Sequence, residues 1–416
     1  MPLKCYEHVC STMMALTNLG KIEGVIPLLH GPQPCSYQNQ VGSMSCRPAQ
    51  LVTAGTLVNK SEVIFGGEAN LKHQVKNLYE KYHPKIIVII NTCVPQLIGE
   101  DIAGVIAELR QEIPGLKVTS CNTGFNFPRS MPLGGDAAWV ALLETFEKKE
   151  KVPGSIGIIG SHGQEAGNLA SLEVLLKKAG LPCFMFPMPH IDSMTDIVQA
   201  ETIYPIQMTP YLTCKCLEET FGAQTCYIEV PVGMEGTSRF FRGIADRQKN
   251  QKLHDLVDEE ERRVRPEFEK IKNRFAKQHV RMLLVTGMAN EVSIGKILAE
   301  FGAEVFIVPC MKNQFYQQEK KIMQERHGVT FIEEEFETLG DLINEIKPTA
   351  VQVEFHAQVE TAPRLIPTMI NMLYLLEYGY DYALDLGANF FKNLHQPVYD
   401  NWSALLNKYG VQPWLR

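Results

Sequence analysis

Apolar and polar positions follow two rhythms along this chain. Short runs rich in β-branched residues recur throughout, and longer stretches with helical spacing separate them. The run Lys85-Ile86-Ile87-Val88-Ile89-Ile90 is apolar at every position but the first, which predicts a strand buried on both faces. Comparable runs lie at 155–160, 183–186, 225–230, 280–287, 305–308, 329–332 and 351–355. Strands alternating with helices are the pattern of parallel sheets wound with crossover helices. The expected fold class is α/β: three Rossmann-like units, each a parallel sheet flanked by helices.

With 416 residues the chain exceeds one ordinary core. The charged stretch Glu147-Lys148-Lys149-Glu150-Lys151-Val152-Pro153-Gly154 divides a first unit, 1–150, from a second, 151–278. A charged helix from about Arg247 to Lys277, polar around most of its circumference, is expected to bridge into a third unit, 279–380. The C-terminal part, 381–416, is expected to be a helical tail, with helix beginning near Leu365. Gly157, Gly160 and Gly163 follow a strand but do not form G-x-G-x-x-G, and no acidic residue closes a second strand where a ribose needs one. A strand-to-helix turn with positive φ accounts for them, not a dinucleotide site.

Composition narrows the function classes. The net charge of −7 gives no basic face for nucleic acid. No run of apolar residues is long enough to cross a membrane, and the first residues lack the apolar region of a signal peptide. A cytoplasmic protein is therefore expected, in which the eleven cysteines are not disulfides. Cys183, Cys226 and Cys310 lie in apolar runs and read as buried. Cys214 and Cys216 point to different faces of one helix and do not form a clamp.

Cys10, Cys35 and Cys93 are different. Their contexts are Glu7-His8-Val9-Cys10, His30-Gly31-Pro32-Gln33-Pro34-Cys35 and Asn91-Thr92-Cys93-Val94-Pro95-Gln96-Leu97-Ile98-Gly99-Glu100-Asp101. Soft ligands spaced this widely, at the ends of elements, are how a fold presents thiolates to an iron–sulfur cluster. His356, directly after a strand, and His395 read as hydrogen-bonded histidines at element ends.

These segments resemble the larger nitrogenase component, the molybdenum–iron protein family. The resemblance runs through Ile26-Pro27-Leu28-Leu29-His30-Gly31-Pro32-Gln33-Pro34-Cys35, Phe65-Gly66-Gly67-Glu68-Ala69-Asn70 and Thr92–Asp101. It is dense over residues 10–105 and thin in the last hundred. Val230-Pro231-Val232-Gly233-Met234-Glu235-Gly236-Thr237 looks like the β-type subunit's Pro-x-Gly-x-Glu-x-Thr element. The resemblance implies an oxidoreductase subunit with no catalytic residue of its own. It implies that Cys10, Cys35 and Cys93 ligate a P-type [8Fe-7S] cluster shared with an α/D-type subunit in an α2β2 heterotetramer. The catalytic iron–sulfur cofactor is expected in that partner. ATP and Mg are expected only through a homodimeric iron protein, whose docking surface includes Phe65.

Three departures are visible. Cys10 follows only nine residues, Pro34 replaces the family's glycine, and the C-terminal region is shorter. A complete cysteine set on so compact a β-type chain looks most like the K-type subunit of methylthio-alkane reductase. That resemblance implies reductive C–S cleavage, with a true nitrogenase β subunit or a cofactor-assembly scaffold as the alternatives.

Overall fold

Continuous apolar stretches become central strands because helices cover both faces of a parallel sheet. The computed structural model describes residues 10–44, 54–124, 131–160, 169–285, 290–309, 311–334, 336–353, 366–369 and 378–395. Their strands form three sheets. The first contains β1 (Val25–His30), β2 (Ala54–Gly55), β3 (Ile86–Asn91) and β4 (Lys117–Asn122), all parallel, in the order β2-β1-β3-β4. Around it lie α1 (Ser11–Leu19), α2 (Gln33–Met44), α3 (Lys60–Phe65), α4 (Glu68–Tyr82), α5 (Cys93–Ile98), α6 (Ile102–Glu112) and α7 (Met131–Leu143).

Period-two alternation sorts the side chains of this sheet. Val25, Leu29, Val88 and Ile90 pack with Leu16 of α1 and Trp139 of α7. Ile26, Leu28, Ile87 and Ile89 pack with Leu71 and Val75 of α4 and Ile106 of α6. Each such fully buried aliphatic chain contributes roughly 1.5–3 kcal/mol.

The second sheet contains β5 (Ile156–Ile159), β6 (Cys183–Phe186), β7 (Thr202–Pro205) and β8 (Gln224–Thr225), in the order β6-β5-β7-β8. The third contains β9 (Arg281–Val285), β10 (Glu304–Ile307), β11 (Thr330–Phe331), β12 (Ala350–Val353), β13 (Thr368–Met369) and β14 (Leu394–His395). Its order is β11-β10-β9-β12-β13-β14, and only the β13–β14 pair is antiparallel. In each sheet the first strand is flanked on one side by its successor and on the other by a later strand. That reversal opens a crevice at the carboxyl ends of the two neighbours.

Several local expectations need correction. The apolar run 225–230 is a strand only at Gln224–Thr225, because the peptide groups of Val230 bond to buried charges instead: its N–H to Glu319 and its C=O to Lys296. The bridging helix expected from about Arg247 to Lys277 is the single helix Gln251–Gln278, and Arg247 instead closes the preceding helix, Gly233–Gln248. They break at Lys249, with φ 51°, and restart at Asn250, whose side chain accepts the Leu253 N–H. As expected, the second helix is polar around most of its circumference; Leu253, Val257, Val264, Phe268, Ile271 and Phe275 form its one buried stripe at helical spacing. In the C-terminal region the described residues form helix Tyr380–Asn393 between β13 and β14. Gly157 lies inside β5, where an added Cβ would approach Ile197 and Ile203 to 2.8 and 2.9 Å; crowding, not a turn, explains it.

Candidate functional site

The carboxyl ends of β1 and β3 are neighbours, with His30 paired opposite Asn91. The chain leaves β1 through Gly31 and Pro32 into α2, which carries Cys35 in its first turn. It leaves β3 through Thr92 into α5, whose first residue is Cys93. The two exits are stitched together: the Thr92 N–H and hydroxyl both donate to the His30 carbonyl, at 3.1 and 2.8 Å. A Cβ at Gly31 would lie 2.1 Å from Thr92 Oγ1, so glycine is required for this approach. Cys10 caps the N-terminus of α1, which packs on α2 and α7. Thr12 of α1 bonds Thr123, just beyond β4, at 2.8 Å.

The structure thus brings the three cysteines of the sequence motif to one edge of the first sheet. Cys10 and Cys93 are exposed and Cys35 is partly buried. Burial pushes the Cys35 thiol up, and the neighbouring Cys10 and Cys93 push it further. A helix N-terminus favours a thiolate, yet here desolvation and like charge outweigh it. Bound iron would favour the Cys35 thiolate that burial and its two neighbours disfavour. Among the described residues no group of three or more His, Cys, Asp or Glu is set to hold a single metal ion. By donor chemistry the three cysteines fit an iron–sulfur cluster.

Large apolar side chains surround this edge in the open. Phe65 is 84% exposed, Ile64 72%, Tyr37 70% and Leu97 69%. All four stand on the short helices that bear the cysteines or touch those that do. Exposed apolar groups this dense mark a contact surface.

Beneath Phe65 lies a polar chain that motif reading missed. One oxygen of Glu100 accepts the Gly67 N–H at 2.8 Å and the other meets His30 Nε2 at 2.5 Å. His30 Nδ1 bonds Thr56 Oγ1 at 3.0 Å, and that oxygen accepts the Gly31 N–H at 3.2 Å. The His30 and Glu100 side chains are essentially inaccessible. Cys5, Cys46 and His356 lie outside the described residues; of His395 only the backbone, in β14, is described. Cys214 is buried in helix Tyr211–Phe221 while Cys216 is partly exposed. No helix among the described residues is long and apolar enough to cross a membrane.

Comparison with known proteins adds the following. The family described as nitrogenase component 1 type oxidoreductase matches residues 10–390. A nitrogenase molybdenum-iron protein beta chain from Crocosphaera subtropica is 26% identical over 265 residues, 57% of this chain and 51% of that one. The chain therefore spans about half the length of that curated relative. A nitrogenase iron-molybdenum cofactor biosynthesis protein NifE from Clostridium pasteurianum is 27% identical over 317 residues, 73% of this chain and 68% of that one. A solved structure of nitrogenase Cp1 at pH 6.5 superposes with a TM-score of 0.78 at 18% identity, over 93% of this chain and 92% of that one, a likeness of fold.

Proposed function

Because this chain belongs to the nitrogenase component 1 type oxidoreductase family, we propose that it is the β-type, electron-relay subunit of a nitrogenase-like reductase. One observation carries this reading: Cys10, Cys35 and Cys93 arrive from separate stretches of chain at a single sheet edge, close enough that Cys10 and Cys93 add to burial in disfavouring the Cys35 thiolate. In this reading they hold one side of a P-type [8Fe-7S] cluster, and an α/D-type partner supplies the other side. The cluster, when bound, supplies electron storage and outer-sphere transfer. Cys35, partly buried against the main core, anchors the inner side. Cys10 and Cys93, both exposed, face the partner. The apolar residues Tyr37, Ile64, Phe65 and Leu97 give the contact surface, on which partner subunit and iron protein seat. The catalytic cofactor belongs to the partner in this reading, and ATP enters only through the iron protein.

The substrate is proposed as methylthio-alkanes, on the strength of the complete cysteine set. The test is anaerobic purification of the complex, followed by iron and sulfide analysis and turnover of a methylthio-alkane with iron protein and ATP. Iron-free, colourless protein rejects the relay; iron-loaded protein that turns over dinitrogen and no thioether rejects the substrate.

A second reading, a scaffold on which a cofactor is assembled, draws on the NifE relative, whose match covers more of this chain than that of the beta chain. It predicts that bound iron leaves for an added apo acceptor. Retention of iron under those conditions excludes it.

A further inference from the structure

We propose that Glu100, His30 and Thr56 are positioning residues that couple occupancy of the Phe65 surface to the backbone carrying Cys35. The inference rests on the relay reading above and adds to it a route by which docking is sensed.

The geometry is a continuous chain of bonds between a surface turn and a cysteine loop. α3 ends at Phe65, and the turn Gly66–Gly67 follows. The Gly67 N–H holds one oxygen of Glu100. A second tie, from the Asp101 N–H to Glu68 at 2.8 Å, clamps the same two segments, so the turn and residues 100–101 move as one body. The other oxygen of Glu100 grips His30, the last residue of β1. Thr56 joins the far side of that ring to the Gly31 N–H, where the loop to Cys35 begins. Asn70, in the first turns of α4, also holds the Thr56 carbonyl at 2.8 Å. One assignment of protons satisfies every group: Gly31 N–H donates to Thr56, Thr56 O–H to His30 Nδ1, and His30 Nε2–H and Gly67 N–H to Glu100.

A purely structural role does not need this arrangement. α3 has no buried residue of its own, so little holds it except its caps and this chain. Its tip is also the most exposed large apolar site among the described residues. A weakly packed element bearing the contact group, tied through buried polar bonds to a ligand-bearing loop, is what a coupled element requires. Pressure on Phe65 shifts Gly67, and Glu100 has no slack on either oxygen with which to absorb the shift.

The test uses the purified complex with and without its homodimeric iron protein. Hydrogen–deuterium exchange is followed over residues 30–36, and the midpoint potential of the bound cluster is measured in parallel. In the wild type, docking should slow exchange over 30–36 and shift the potential. Thr56→Val, which keeps shape and removes the hydroxyl, should retain iron and docking affinity. It should lose the remote protection, and electron delivery should fall roughly two- to thirtyfold, the usual span for mutations along a coupling route. Thr56→Ser should restore both. Glu100→Gln should behave as Thr56→Val, and the double variant should be no worse than either single one. Full remote protection in Thr56→Val, or none in the wild type, overturns the coupling while leaving the relay intact. Absence of iron from the wild-type complex overturns both. If Glu100→Gln fails to fold, the Thr56 pair still decides.

Discussion

At the scale of single residues, burial and charge decide what each group does. Cys35 is only partly buried, and burial followed by its two like neighbours pushes its thiol pKa up. Cys35→Ala should therefore leave the fold nearly as stable as wild type, within about 1 kcal/mol as for most changes away from a full core. It should strip bound iron from the anaerobically purified complex; unchanged iron content removes Cys35 from the ligand set. Glu300 presents a different case. Its carboxylate accepts the N–H groups of Met234, Glu235 and Gly236 at 2.8–3.2 Å, closing the first turn of helix Gly233–Gln248. Burial nonetheless pushes its pKa up from 4.5 to about 7. The folded value lies above the unfolded one, so this stabilisation is complete below 4.5 and is lost as pH rises through about 7. Glu300→Gln should flatten that part of the profile, so urea midpoints at about pH 5 and about pH 8 should lie closer together than in wild type.

At the scale of elements, the strands were the most legible feature. β3 and β6 fall almost where continuous apolar runs placed them, and β3, buried at every position, has no exposed position to blur its limits. Helix ends that depend on caps were harder to read: the stop at Lys249 uses a non-glycine residue at positive φ, which no residue type announces. The buried stripe of the long charged helix was hard to place because its six buried residues in twenty-eight are diluted by surface charge. Of the proposed site, local sequence singled out the cysteines. The bonds from Glu100 to His30 and Gly67 were not legible there, because they join positions 70 and 33 residues away. Between elements, the approach of the two cysteine-bearing exits leaves no room at position 31. Gly31→Ala should cost about 1–3 kcal/mol from overpacking against Thr92. Thermal denaturation would show it, and an unchanged midpoint would mean the two exits yield freely.

At the scale of the whole molecule, buried charges fasten the second and third sheets together. Lys296, wholly inaccessible, lies 2.6 Å from Glu229 and 2.7 Å from Glu319. Its burial alone would lower its pKa, but those two carboxylates outweigh that and hold it charged. Arg239 makes two further bonds to Glu229. Lys296→Met would leave both acids short of their shared cation, at a cost of about 3–5 kcal/mol. Calorimetry should then show the melting transition displaced downward and broadened, whereas a wild-type trace would mean the cluster is energetically idle. Asp136 fastens the first unit in similar fashion, accepting the N–H groups of Leu212 and Thr213 at the start of helix Tyr211–Phe221. The stitch between His30 and Thr92 has a consequence on this scale as well. It ties the separation of two sulfur atoms to the hydrogen-bond ladder of adjacent strands. Any lineage that slipped that ladder by one rung would displace one thiol relative to the other by a full pleat. The gauge of the site is thus inherited with the sheet, and any matching half on another polypeptide is machined to the same rule.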